Sequence, residues 1–200
     1  KYYKMAADKG EKRSMLRYGE LLADGKGVPM NKLEALKYFK MAGENGETTG
    51  FNNYAFMLYN GVGVPVDRKE GIKYFKIAAD HGDIDAILNY IDILLESGKT
   101  DNQKLAVKYC EVATHKGIPA AMHKMGDFYN NGIGVKADDK KAAMFYKMAA
   151  DKGYGPSIAI YGAMLYFGSN GVTQDKEKAA FYFDLAKSKN VLFHINDEAK

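Results

Sequence analysis

The chain has 200 residues, 46% of them hydrophobic and 27% charged, and its 29 basic and 25 acidic residues give a formal net charge of +4. That composition supports an ordinary packed core, and charges so evenly mixed exclude the dense basic patch that nucleic acid requires. No apolar run approaches the ~18 residues of a membrane span, and a single cysteine, Cys110, excludes an internal disulfide.

Residues 1–10 end in Ala6-Ala7-Asp8-Lys9-Gly10, and this ending returns along the chain. It stands at Ala42-Gly43-Glu44-Asn45-Gly46, Ala78-Ala79-Asp80-His81-Gly82, Ala113-Thr114-His115-Lys116-Gly117 and Ala149-Ala150-Asp151-Lys152-Gly153, with a worn copy at Ala186-Lys187-Ser188-Lys189-Asn190. A spacing of 35 to 37 residues predicts a solenoid, in which each unit buries its apolar face only against its neighbours. The expected organisation is the second helix of a truncated repeat over 1–10, then five repeats at about 11–46, 47–82, 83–117, 118–153 and 154–190 forming one domain, then a tail or cap over 191–200. Because the chain opens without Met and inside a repeat, it is expected to be an excerpt of a longer protein.

Each repeat reads as two helices. The first, helix A, carries a small residue near its start (Ser14, Gly50, Ala86, Ala121, Ser157) and an apolar stripe at helical spacing, as in Tyr18, Leu21 and Leu22. Within the stripe stand Gly19, Ala55, Gly126 and Gly162, which predict close approach of a neighbouring helix backbone; Ile91 breaks the rule in the third repeat and predicts a wider or locally rearranged contact. Gly25-Lys26-Gly27-Val28, Gly61-Val62-Gly63-Val64 and Gly132-Ile133-Gly134-Val135 follow as helix-ending joints. The third joint lacks the motif and the fifth carries an insertion. Recurrence of the glycine loop, without a Gly-Lys-Ser/Thr or a preceding strand, argues for a joint rather than a phosphate cradle.

Helix B is expected to open on Asn31, Asp67, Asn102, Asp138 and Asp175 as N-caps, with Glu34 and Glu70 completing capping boxes. Its body repeats an aromatic pair, Tyr38-Phe39, Tyr74-Phe75, Phe145-Tyr146 and Tyr182-Phe183, with Tyr109-Cys110 in the third copy, where Cys110 reads as a small buried hydrophobe. Lysine rows at Lys1, Lys37, Lys73, Lys108 and at Lys4, Lys40, Lys76, Lys147 read as solubilising surface, or as a face for an acidic partner or an anionic membrane.

The order of these pieces, from small residue through Gly-x-Gly-Val and capping Asp to Tyr-Phe-Lys-x-Ala-Ala-x-x-Gly, resembles the Sel-1-like repeat, a relative of the tetratricopeptide repeat. The resemblance covers about residues 11–190. It implies an all-α, right-handed α/α superhelical solenoid that serves as a non-enzymatic scaffold or adaptor, without cofactor. It also implies that helix A lines the concave groove and helix B the convex side. A cysteine-rich bacterial branch, linked to penicillin binding, pairs its helices by disulfides that this chain lacks. A ligand-binding or hydrolytic protein acting on cell-wall material is the alternative. The lack of disulfides favours a cytoplasmic adaptor, with the endoplasmic-reticulum lumen as the other option if a signal peptide lies outside the sequence.

Registering the copies on Gly19 gives the groove candidates Arg17, Glu20, Asn53, Phe56, Asn60, Asn89, Asp92, Glu96, Lys124, Asp127 and Asn131. Asparagines there offer donor and acceptor to an extended peptide, and the acidic members favour a basic one. Chemistry is poorly provided: His81, His115, His123 and His194 are scattered, with no metal spacing and no nucleophile elbow. His123 and Asp127 form an i, i+4 pair expected at the surface. The apolar residues of the two ends, Tyr2, Tyr3 and Met5 and then Val191 to Ile195, are expected to be covered by missing sequence or by self-association.

Overall fold

The computed structural model describes residues 1–169 and 171–191; Leu192 to Ile195, and with them His194, lie outside the described residues. Among the described residues there are eleven α-helices and no strand. They gather into two compact units, Lys1–Ile93 and the chain from Leu94 onward. The first holds α1 (Tyr2–Ala7), α2 (Lys12–Asp24), α3 (Lys32–Glu44), α4 (Thr48–Asn60), α5 (Arg68–Asp80) and most of α6 (Ile84–Glu96). The second holds α7 (Thr100–His115), α8 (Pro119–Asn131), α9 (Asp139–Asp151), α10 (Gly155–Phe167) and α11 (Lys176–Ser188). Within each unit consecutive helices pack in turn, α1 to α5 in the first and α7 to α11 in the second. Even-numbered helices are the A helices of the repeats and odd-numbered ones the B helices.

The joint from A to B ties the two helices by their backbones. α2 ends at Gly25, whose φ of 70° turns the chain, and whose N–H donates to the Leu21 carbonyl. The Asn31 N–H then donates back to the Leu22 carbonyl at 2.9 Å, and Asp67 to Leu58, Asp138 to Tyr129 and Asp175 to Leu165 repeat the bond. Each of these residues also accepts from the first turn of its own helix B, as Asn31 Oδ1 does from the Glu34 N–H at 3.0 Å. The cap therefore faces both ways, and the expected capping boxes are only half made. With the Asn31 N–H already donated to Leu22, Glu34 accepts from the Asn31 side-chain amide, and Glu70 pairs with Lys73.

The third joint departs further. α7 begins at Thr100 with Lys99 at its N-cap, so Asn102 lies inside the helix and not at the cap expected of it. The short Ser97-Gly98 turn lets the helix start earlier, and Asn102 donates instead to Ser97 Oγ at 2.7 Å. The return from B to A uses positive φ at Gly46 (84°) and, in the worn sixth copy, at Asn190 (54°); asparagine tolerates this region better than other side chains.

The core is the aromatic and small-residue lattice that the period implies. In the first unit Met15, Tyr18, Leu22, Tyr38, Phe39 and Met57 form one cluster. In the second, Tyr146 and Met164 pack with Ala142 and Ala143. The small position within helix A is explained differently from expectation. A Cβ on Gly126 would lie 2.6 Å from the ring of Tyr146, and one on Gly19 would lie 2.8 Å from the ring of Phe39. The close neighbour is thus the second aromatic of helix B from the same repeat, rather than a helix backbone. Ile91, at this position in the third repeat, is fully buried.

Candidate interaction face

On the B side the lysine row Lys4, Lys40, Lys76 and Lys147 is already engaged. Lys4 bridges to Asp8 at 3.2 Å and Tyr38 donates to the same carboxylate at 2.9 Å, while Tyr18 meets Tyr38 edge to face with centroids 4.8 Å apart. Lys147, Asp151, Tyr161 and Tyr182 repeat the arrangement, with Lys147 to Asp151 at 2.6 Å and Tyr182 to Asp151 at 3.2 Å. Lys40 lies over the rings of Tyr54 and Tyr74, and Lys76 pairs with Asp80 at 2.6 Å. These lysines cap aromatic pairs and are matched by i+4 acids, so little net charge remains along that row. A depression of about 530 Å³ near Tyr161, Leu165 and Tyr182 is bordered by Lys147 and Lys178, each of them paired with an aspartate.

The A side is where the repeats differ. In the first unit Asn52 is buried, and it accepts from Asn89 Nδ2 at 3.1 Å while its own amide points to Asn53 Oδ1 at 3.5 Å. Two helices, α4 and α6, are joined by this amide ladder, which leaves the Asn53 amide and the Asn89 carbonyl unspent. Asn52 was not among the sequence candidates. Its signal was a polar residue at the register of Leu16, Leu88 and Ala159, where His123 is the other polar exception.

In the second unit four polar groups meet. His123 Nδ1 lies 2.9 Å from Ser157 Oγ, its Nε2 faces Asp127 Oδ2 at 3.6 Å, and Tyr146 donates to Asp127 Oδ1 at 2.7 Å. A carboxylate only accepts, so the imidazole proton belongs on Nε2 and Nδ1 accepts from the Ser157 hydroxyl. Burial, with His123 held between the rings of Tyr146 and Tyr154, lowers its pKa. Burial and the Asp127 carboxylate raise that of Tyr146, so both are neutral near pH 7. His123 is therefore more enclosed than the surface pair expected of it. The Ser-His-Asp order invites comparison with hydrolases, but Ser157 is fully buried in the helix packing, where an attacking hydroxyl has no access to substrate.

The remaining candidates divide by environment. Arg17 and Glu20 pair with each other at 2.7 Å. Asn60 and Asn131 fold back to the carbonyls of Phe56 and Asp127 in their own last turns, at 3.0 and 2.9 Å. Phe56 is exposed, Asp92 and Glu96 are exposed on α6, and Lys124 is half-buried on α8. Cys110 is buried, its Sγ donates to the Ala121 carbonyl, and burial pushes the thiol up to about 12. Among the described residues no cluster of His, Cys, Asp or Glu is arranged for a metal, and no helix is long and apolar enough to cross a membrane.

A model of the Sel1 repeat matches residues 1–11, 12–47, 52–83, 119–154 and 156–191, most of the chain. The chain belongs to the Sel1 repeat family. Residues 84–118, the third repeat with its early-starting α7 and Cys110, fall outside the matched Sel1 segments. No curated protein sequence matches the chain. Among solved structures, a protective antigen of uropathogenic Escherichia coli displaying an SLR fold is 28% identical with a TM-score of 0.84. The alignment covers 94% of this chain and 40% of that protein. A Sel1 repeat protein from Oxalobacter formigenes is 24% identical with a TM-score of 0.85, over 92% of this chain and 76% of the other. An immunity protein, PA5088 of Pseudomonas aeruginosa, shares the fold at 18% identity and a TM-score of 0.64, over 96% and 74% of the two chains. The fold is accordingly an all-α Sel1 repeat solenoid, and Sel1 repeats are in general scaffolds for protein–protein interaction and typically not enzymes.

Proposed function

We propose that this Sel1 chain is a non-enzymatic interaction module that holds an extended segment of a partner protein along the A-helix face of its first unit. The amide ladder Asn52–Asn89 carries the reading. A buried asparagine fixes its neighbours at one orientation, so Asn53 presents a donor and Asn89 an acceptor, the pair that an extended backbone offers in return. Preorganisation of both groups reduces the ordering cost of binding. On the B-helix face, by contrast, Lys4 and Tyr38 share Asp8, and Lys147 and Tyr182 share Asp151. A hydrolytic role finds no support in a Ser157 that is fully buried.

Peptides selected from a random display library on the immobilised chain test the reading. The double variant Asn53→Ala/Asn89→Ala should weaken the selected peptides about ten- to a hundredfold, on the scale of one or two lost hydrogen bonds. Unchanged affinity would remove the A face of the first unit from the binding surface.

Tyr2, Tyr3 and Met5 of α1 are exposed and offer a second contact region, for another copy or for another protein. Light scattering on Tyr2→Ser/Tyr3→Ser checks it: a self-associating chain becomes monomeric, and a chain already monomeric on dilution rules out self-pairing.

A further inference from the structure

The most exposed large apolar side chains of α3, α5 and the joints before them gather at one edge of the first unit, where these two B helices begin. Met30, Leu33 and Val66 are 62%, 60% and 60% exposed. Their neighbours in the chain behave differently: Val28, Val62 and Val64, from the same two joints, pack against the first-unit core, while Met30 and Val66 stand out in solvent. The start of α3 and the second joint lie side by side, since a Cβ on Gly63 would run into the stem of Lys32.

Packing of the repeat does not call for these residues. An apolar residue just before an N-cap ordinarily staples to the fourth residue of its helix, but that residue is Ala35 in α3 and Gly71 in α5, too small to reach. In the second unit the register of Met30 and Val66 is held by Ala137 and Gln174, and the joint closes with the same backbone bond; the register of Leu33 is held by Lys69, Lys140 and Glu177. The cations at this edge have no carboxylate partner. Lys37, one turn beyond Leu33 on the same helix face, and Lys69 are exposed and enter no ion pair among the described residues. Arg68 rests over the Tyr59 ring, 5.4 Å from its centroid, which leaves its charge in place. The acids nearby are tied into the helix starts, Glu34 accepting from Asn31 Nδ2 at 3.1 Å and Asp67 from the Glu70 N–H at 3.0 Å.

Apolar side chains that stand singly among cations suit a fluid surface better than a folded one. A protein partner would have to supply a matching pocket for each, whereas an anionic bilayer adapts to all of them, taking the apolar groups into the headgroup boundary and leaving the lysine charges in the phosphate layer. The geometry points to this edge of the first unit as a contact for an anionic membrane surface, with Met30, Leu33 and Val66 entering the boundary and Lys37, Arg68 and Lys69 meeting the lipid headgroups. No helix among the described residues is long and apolar enough to cross the bilayer, so the contact lies on it. The inference is independent of peptide binding on the A face, which uses other residues.

Co-sedimentation with vesicles tests it, using phosphatidylcholine alone and phosphatidylcholine with phosphatidylserine in about equal parts. The chain should bind the anionic vesicles, less so as salt is raised, and leave the neutral ones unbound. Lys37→Gln/Lys69→Gln should weaken binding about tenfold or more, and Lys37→Arg/Lys69→Arg should keep it. Met30→Gln/Leu33→Gln/Val66→Gln should also weaken it about tenfold or more, with thermal unfolding unchanged because sister repeats carry polar residues at these registers. Asn53→Ala/Asn89→Ala should bind vesicles as wild type does, whatever its effect on peptides. Absence of vesicle binding, equal binding to neutral vesicles, or full binding by both glutamine variants would overturn the assignment and leave peptide binding intact. Self-association in light scattering that Met30→Gln/Leu33→Gln/Val66→Gln abolishes would overturn it too, giving the edge to a second copy.

Discussion

Tyr146 donates to Asp127 at 2.7 Å, and in doing so joins helix B of the fourth repeat to helix A of the same repeat, where Tyr38 and Tyr182 reach back to the preceding B helix. One transposed dipeptide thus converts a bond between repeats into a bond within one. Tyr146→Phe should cost about 0.5–1.5 kcal/mol in thermal or denaturant unfolding, the net worth of a hydrogen bond. Restoring the usual order, Phe145→Tyr/Tyr146→Phe, should not recover it, because Glu111 and His115 stand where the receiving Lys and Asp would be. Full recovery would show that the transposition is structurally neutral.

His123 makes stability depend on pH in a definite direction. Its folded pKa is depressed by burial, so the unfolded chain, near 6.5, takes up the proton more readily. The contribution is complete above about pH 6.5, is lost as the pH falls towards the lowered folded value, and is constant below it. The depressed carboxylates, Asp8 held by Tyr38 and Lys4, Glu11 by Ser14 and Asp175 by Lys178, act in the same sense but only near and below pH 4. Denaturant unfolding of wild type and His123→Asn between about pH 7 and 3 separates the two windows. The variant should lose the upper decline and keep the lower; identical profiles would show that His123 does not titrate on unfolding.

The period was legible because each of its residues has one packing task. Glycine at Gly25 must take positive φ, and glycine at Gly126 must admit a ring, so few substitutes fit and the pattern survives. What escaped the sequence depends on a partner far along the chain. Asn52 is visible as a polar residue at an apolar register, but its role comes from Asn89, 37 residues later. Ser157 shares its register with four other small residues, and its role comes from His123, 34 residues earlier. The cap of α7 escaped for a local reason: a shortened joint shifts the start of the helix, and register alone cannot report a shift.

The caps offer a direct comparison of these two cases. Asp138→Ala and Asp175→Ala each remove an acceptor from the first turn of a B helix and should cost about 0.5–2 kcal/mol. Asn102→Ala, from the same sequence register, should cost less, since Asn102 caps no helix and bonds an exposed Ser97 hydroxyl. Equal losses at all three positions in chemical denaturation would mean that α7 begins where the sequence register places it.

Cys110 separates the irregular third repeat from the others by chemistry as well as by fit. Its side chain is fully enclosed, it stands at the position of Phe39, Phe75 and Tyr146, and burial pushes the thiol up to about 12. A thiolate is the reactive form, so at pH 8 the native protein should resist alkylation on both counts, access and ionisation. Iodoacetamide labelling followed by mass spectrometry should proceed only at the rate of unfolding and become fast in denaturant. The same enclosure means that Phe, acceptable in its sister repeats, does not fit here: Cys110→Phe should destabilise the chain by about 1–3 kcal/mol, the usual cost of overpacking. A stabilised Cys110→Phe protein would mean that the third repeat holds a void of phenyl size, which a fully buried Cys110 with its Sγ 3.2 Å from the Ala121 carbonyl does not leave on that side.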